Sequence, residues 1–147
     1  MASGIYLSYP DKANNKEIDL LSDTIKVALV TSSYTPNQDT HDYFSDITNE
    51  VSGTGYTAGG ATLASKTYTS NTTTNVWTFD AADVTWSSAT ITNARYAIIY
   101  DATPGTAATN PLIAYIDFGS DKSSSGGDFV IQWNANGIFT DTVAAPA

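Results

Sequence analysis

His41 is the one histidine in the chain, set between Asp39 and Asp42, and it is the first place to look for acid–base chemistry. A serine triad needs such a histidine within reach of an activated serine on a sharp turn, and no Gly-x-Ser-x-Gly pattern occurs. Local hydrogen bonding or plain solvation, in a loop or at a helix start beside Asp39 and Asp42, is the expected role of His41. Asp117-Phe118-Gly119 reproduces the three-letter magnesium motif of protein kinases, but the Gly-rich loop and the catalytic-loop Asp and Asn are missing. At the end of a strand these residues are expected simply to stop the ladder. Carboxylates come in two close pairs, Asp80 with Asp83 and Asp117 with Asp121, and Glu17 and Glu50 are the only glutamates. A glycosidase needs two carboxyls, one of them in an apolar pocket that raises its pKa. Calcium needs several oxygen ligands, and neither an EF-hand loop nor a dense Asp-x-Asp-x-Asp series is present. Turn capping is the expected role of these aspartates. Trp77, Trp86 and Trp133 have the chemistry of a sugar platform, yet each lies in a predicted strand, where tryptophan belongs more often to the core. Asn71-Thr72-Thr73 matches the glycosylation sequon without a secretory signal to give it meaning. The residues thus predict no catalytic group, no cofactor and no metal site.

Composition narrows the partners. The 147 residues suit one compact domain able to bury a core, and the absence of cysteine excludes disulfides and thiolate metal sites. Net charge is −9, with 15 acidic residues against six Lys and Arg. Nucleic-acid binding needs clustered cations, whereas Lys12, Lys16, Lys26, Lys66, Arg95 and Lys122 are scattered, so no nucleic acid is expected. Aspartate far outnumbers glutamate, as suits turns and strand ends. No run approaches the length of a membrane span, and the N-terminus lacks the basic and apolar regions of a signal peptide. No membrane partner is expected.

The elements that must position these residues are strands. Thr, Ser, Tyr and Val dominate between closely spaced turns, which is an all-β pattern. Strands are expected over 24–31, 61–69, 76–80, 84–86, 94–101, 112–118, 129–133 and 138–143. About eight strands predict a single antiparallel β-sandwich or jelly-roll-like domain over 18–147. Tyr96 to Tyr100 and Leu112 to Ile116 are nearly continuous apolar runs, so both faces must be covered, by the chain itself or by a second subunit. At most one short helix is expected, over Thr40 to Ile47, with Asp39 or Thr40 as N-cap and Tyr43, Phe44 and Ile47 on the docking face. Asn136-Gly137 predicts a tight turn before the last strand, Gly59-Gly60 a break before Ala61, and Ser123 to Gly127 a polar loop. Residues 1–17 read as an N-terminal arm or an edge strand. In the first case Ile5, Tyr6, Leu7 and Tyr9 dock onto a partner, with the polar run after Pro10 as a tether; in the second they form an ordinary first strand.

Several segments resemble a family of small structural proteins encoded by tailed bacteriophages. They are Asp23 to Leu29 (DTIKVAL), Tyr34 to His41 (YTPNQDTH), Glu50 to Tyr56 (EVSGTGY), Asp83 to Trp86 (DVTW), Ala94 to Tyr100 (ARYAIIY) and Pro111 to Gly119 (PLIAYIDFG). The resemblance spans most of the chain from about Ile18 to Val143 and leaves out residues 1–17. It implies a virion component without catalysis, a class rather than a mechanism. Together with the composition it leads us to expect a capsid decoration (cement) protein, made in the host cytoplasm. Such a protein would bind the major capsid protein or other virion proteins as a homotrimer. A neck, tail or head-fibre component is the alternative, and a receptor- or carbohydrate-binding module a third reading.

Overall fold

The computed structural model of the chain describes residues 2–145. Within them are eight strands, β1 (Gly4–Ile5), β2 (Ile25–Thr31), β3 (Ala61–Thr62), β4 (Thr67–Asn71), β5 (Val76–Asp80), β6 (Val84–Asp101), β7 (Leu112–Ile131) and β8 (Phe139–Thr142), and one α-helix, α1 (Ser8–Asn14). They form two antiparallel sheets, one of five strands in the order β1-β7-β6-β2-β3 and one of three in the order β4-β5-β8. The all-β, sandwich-like expectation holds.

The five-stranded sheet is built on its own alternation. In β2, Ile25, Val27 and Leu29 enter one core while Ala28 and Val30 enter another on the opposite face, because successive side chains of a strand point opposite ways. β6 does the same, with Ala97 and Ile99 on the first face and Tyr96, Ile98 and Tyr100 on the second. The first face is closed by the three-stranded sheet through Phe79 and Phe139, and by Tyr9, Ile18 and Leu20. The second is closed by the 32–48 segment through Tyr34, Phe44 and Ile47, with Tyr6 beside them. The apolar runs are therefore covered on both faces by the chain itself, and no second subunit is needed to bury them.

Four expected boundaries change. The strands expected at 84–86 and 94–101 are one strand of 18 residues, and those at 112–118 and 129–133 are one of 20. At about 3.3 Å per residue the pair runs ~60 Å. Its ladder crosses the polar stretch by a series of register shifts between Trp86 and Tyr96, where Ser88 and Asn93 adopt positive φ. Ser123 to Gly127 consequently lies inside β7, not in a loop. The strand expected at 61–69 splits: β3 pairs with β2 and β4 with β5, and Ser65, at φ 52°, turns the chain from one sheet to the other. The turn signals at Asn136-Gly137 and Gly59-Gly60 are kept. Gly137 closes a turn by donating to Asn134 O at 2.8 Å, at φ 96°. A Cβ on Gly60, which has φ 79°, would lie 1.8 Å from Val27 O, so only glycine fits beside β2 there.

The helix expected over Thr40 to Ile47 does not form; only a 3-10 turn, Phe44–Asp46, is present. The Asp46 carboxylate accepts from the Asp42 and Tyr43 amides, and Phe44 N and Ser45 N donate to Asn110 O and Ala107 O across the 102–111 loop. With those groups bonded elsewhere, no i to i−4 ladder can run. Phe44 and Ile47 nevertheless dock as expected, Phe44 stacking on Tyr100 with ring centroids 4.1 Å apart.

The helix lies instead in the N-terminal segment. Pro10 falls in the first turn of α1, where a missing N–H costs nothing. Before it, Gly4 and Ile5 pair with Tyr115 and Ala114 at the edge of the large sheet. Tyr6 is 0 % exposed and Tyr9 sits edge-on against Phe139. Docking through Tyr6 and Tyr9 is thus corrected: both serve the chain's own cores, Ile5 is half-buried in the sheet, and only Leu7, 63 % exposed, remains on the surface. The 11–17 run is helix and helix end, not a tether. The segment from Gly4 to Asn14 is part of the same packed body as the rest.

Candidate functional site

The residues singled out for chemistry are held apart, and most of them fasten backbone. Asp117, in the first half of β7, accepts from Arg95 Nε at 2.7 Å and Nη2 at 3.4 Å, and from Gly119 N at 2.8 Å. The Arg95 guanidinium foremost, helped by the Gly119 amide, holds its carboxyl down at about 2. Asp117 is therefore a cross-strand clamp, and the kinase-like letters do not end the strand as expected but lie inside β7 at a register shift of the ladder. Asp83 accepts from Trp133 N at 2.9 Å, while Trp133 Nε1 donates to Ala82 O at 3.0 Å, and Asp80 accepts from Ala81 N at 2.9 Å. Asp80 caps the turn between β5 and β6 as expected, whereas Asp83 ties that turn to the chain just after β7. Glu17 faces Lys12 at 4.0 Å. Among the described residues no group of three or more His, Asp or Glu side chains is placed to hold a metal ion.

Two polar systems tie loops onto the large sheet. On the second face, Tyr6 Oη lies 2.8 Å from Tyr34 Oη, which lies 2.8 Å from His41 Nδ1. The Asn37 amide also points at Nδ1, at 3.3 Å, and can only donate. Nδ1 is then the acceptor, the ring proton sits on Nε2, and the chain runs from Tyr6 through Tyr34 to His41. Burial pushes the Tyr34 phenol up to about 12, so it stays a neutral donor throughout the ordinary pH range. His41 thus does hold local hydrogen bonds, but its main partner is a tyrosine and not the flanking aspartates. At the other edge, Glu50 accepts from Tyr56 Oη at 2.7 Å and Gly59 N at 2.6 Å. Tyr56 Oη takes the Leu29 amide at 3.0 Å and Tyr100 Oη donates to Gly59 O at 2.6 Å. Together they fix the Gly-rich turn to β2 and β6.

One perturbed carboxyl was not anticipated. Asp101, the last residue of β6, is 0 % exposed. Its Oδ1 accepts from Thr103 N at 2.8 Å, while its Oδ2 has no hydrogen-bond donor. The Asp23 carboxyl is near enough to act on it, and Lys66 Nζ donates to Asp23 O. Burial, and after it the Asp23 carboxyl, push Asp101 up to about 6. The only hint in the sequence is an aspartate directly after the apolar run of Tyr96 to Tyr100.

The tryptophans do not gather into one platform. Trp86 is buried in the first core between Tyr56 and Phe129, and Trp133 packs partly against that core. Trp77 is the exception. It is 38 % exposed on β5 and stacks on Tyr68 with centroids 5.0 Å apart and planes 13° from parallel. Among the described residues no helix is long and apolar enough to cross a membrane. No protein-family model, curated protein or solved structure matches the chain.

Proposed function

We propose that this chain is a non-enzymatic structural component of a phage particle, a capsid decoration (cement) protein that seats on the outer shell against the major capsid protein. The observation that carries this reading is where the phage-like segments fall. Asp23 to Leu29, Ala94 to Tyr100 and Pro111 to Gly119 build the adjoining strands β2, β6 and β7 of the doubly covered sheet. Tyr34 to His41 and Glu50 to Tyr56 carry the hydrogen bonds that fasten its two covering loops. A passive clamp needs a stiff body, and these are the parts that would make one. The polar groups suited to catalysis are engaged in that same fastening, Asp117 with Arg95 and Glu50 with Tyr56.

The trimer is part of the proposal on symmetry alone. Icosahedral shells offer three-fold positions, and a homo-oligomer can match them. It draws no support from the apolar strands, since the 32–48 segment covers them. Two measurements test the reading. A density map of the intact particle should show this chain on the capsid lattice; finding it on the tail axis would replace the proposal with the neck, tail or head-fibre alternative. Light scattering of the purified protein should give the mass of three chains, and a monomer at every concentration would remove the trimer.

A further inference from the structure

The inner face of the three-stranded sheet continues past the core. Phe79 and Phe139 are buried on it, and two residues further along each strand come Trp77 and Asp141, which share their face because strand side chains alternate. Tyr68, opposite Phe79 on β4, stacks under the Trp77 indole and donates its hydroxyl to Asp141 Oδ2 at 2.7 Å. The ring is therefore held in place from below without help from a ligand. Beyond it lies a hollow of about 270 Å³ lined by Ser70, Asn71, Thr72, Asn75, Trp77 and Val143. The hairpin tip that forms its rim is set by Asn71 Oδ1, which accepts from Thr73 N at 2.9 Å and Thr74 N at 3.2 Å. The Asn71 amide nitrogen and Trp77 Nε1 make no hydrogen bond among the described residues.

We infer that this hollow binds a neutral sugar residue, stacked on Trp77 and hydrogen-bonded by the hydroxyl and amide rim. An indole offers a broad apolar face with a donor at its edge, which suits the C–H face of a pyranose. Four rim residues carry side-chain hydroxyls or amides, groups that both give and take hydrogen bonds as sugar hydroxyls do. An apolar peptide anchor would leave those groups unmatched. No Lys or Arg lines the hollow, and the chain carries −9 with Asp141 beside the ring, so a nucleotide or an acidic sugar is disfavoured. The sugar class does not depend on the particle in which the chain sits.

Cellotetraose, maltotetraose and chitotetraose, titrated into the full chain while indole N–H resonances are followed by NMR, form the test. At least one should move the Trp77 signal saturably with a Kd on the order of 1 mM, as a shallow single-residue site allows. Trp133 and buried Trp86 serve as internal controls. In the variants, where binding is followed through the backbone amide resonances of Ser70 to Asn75 and Val143, Trp77→Ala should abolish the response. Trp77→Phe and Thr72→Val, which leave the core untouched, should each weaken it several-fold, so the outcome does not hinge on one variant folding. The inference fails if none of the three sugars shifts Trp77, or if binding survives Trp77→Ala. It also fails if a galacturonate oligomer binds more tightly than the neutral sugars. Self-association that Trp77→Ala breaks, without any sugar response, would make the shelf a protein interface and overturn it as well.

Discussion

The two sheets differ in what lies on their outer faces. The second face of the large sheet, with Tyr96, Ile98 and Tyr100, is roofed by the 32–48 segment and fastened by Tyr34 and His41. The outer face of the small sheet has no such roof: Thr69, Thr78 and Thr140 stand opposite one another across three strands, and Thr69 and Thr140 are exposed. The same pleat thus gives a core layer in one sheet and a hydroxyl surface in the other. What decides is the residue type at alternate positions. An apolar outer row must recruit a covering segment, whereas a threonine row is satisfied by water and keeps its β-branched fit to the strand.

The largest expected break of that contrast is Ile98→Ala. It opens a cavity in the roofed layer and should cost about 2–5 kcal/mol in urea unfolding. A loss as small as that of a surface change would mean the roof does not pack.

Tyr34→Phe tests the fastener. It removes the hydroxyl between Tyr6 and His41 and strands a buried donor, for an expected loss of about 1–3 kcal/mol. Hydrogen exchange should then speed up in the 32–48 segment before the sheet itself.

A pH effect of similar or smaller size belongs to the loop end of the large sheet. Asp101 is raised in the folded state to about 6, above its ordinary value of 3.8. Its stabilisation is therefore complete below its unfolded pKa and lost as pH rises through about 6. Unfolding free energy should be higher at pH 4.5 than at pH 7.5 by about 1–2 kcal/mol. Asp101→Asn, which keeps an acceptor for Thr103 N, should flatten this dependence. Asp117, held down at about 2, acts in the opposite sense: its contribution is present above its unfolded pKa and disappears only as pH falls toward 2. A wild-type profile that is flat between pH 4.5 and 7.5 would exclude the raised Asp101 carboxyl.

The smallest effect should come from the exposed face of the small sheet. Thr140→Ala is expected to change stability by about 0.5 kcal/mol or less. A larger loss would show that this face, too, is covered by something.

Several features of this chain were legible in the residues alone. The all-β class, the turns at Gly60 and Gly137 and the need to cover both faces of Tyr96 to Tyr100 follow from alternation and backbone preference, which neighbouring residues determine. The assignment of Trp86 to the core and of Asp80 to a turn was equally local. Tertiary structure decided the rest. Which segment roofs the sheet depends on Tyr34, Phe44 and Ile47 meeting strands far along the chain. The merging of four expected strands into β6 and β7 depends on a partner strand that carries the ladder through shifted register at Ser88 and Asn93. Thr40 to Ile47 lost its helix because Asn110 and Ala107 took its amides, and Ile5 to Tyr9 became strand edge and helix because Ala114 and Phe139 were there to receive them. Asp23 and Asp101 meet only when β2 lies beside β6, since a contact between distant residues leaves no trace in the local pattern of either.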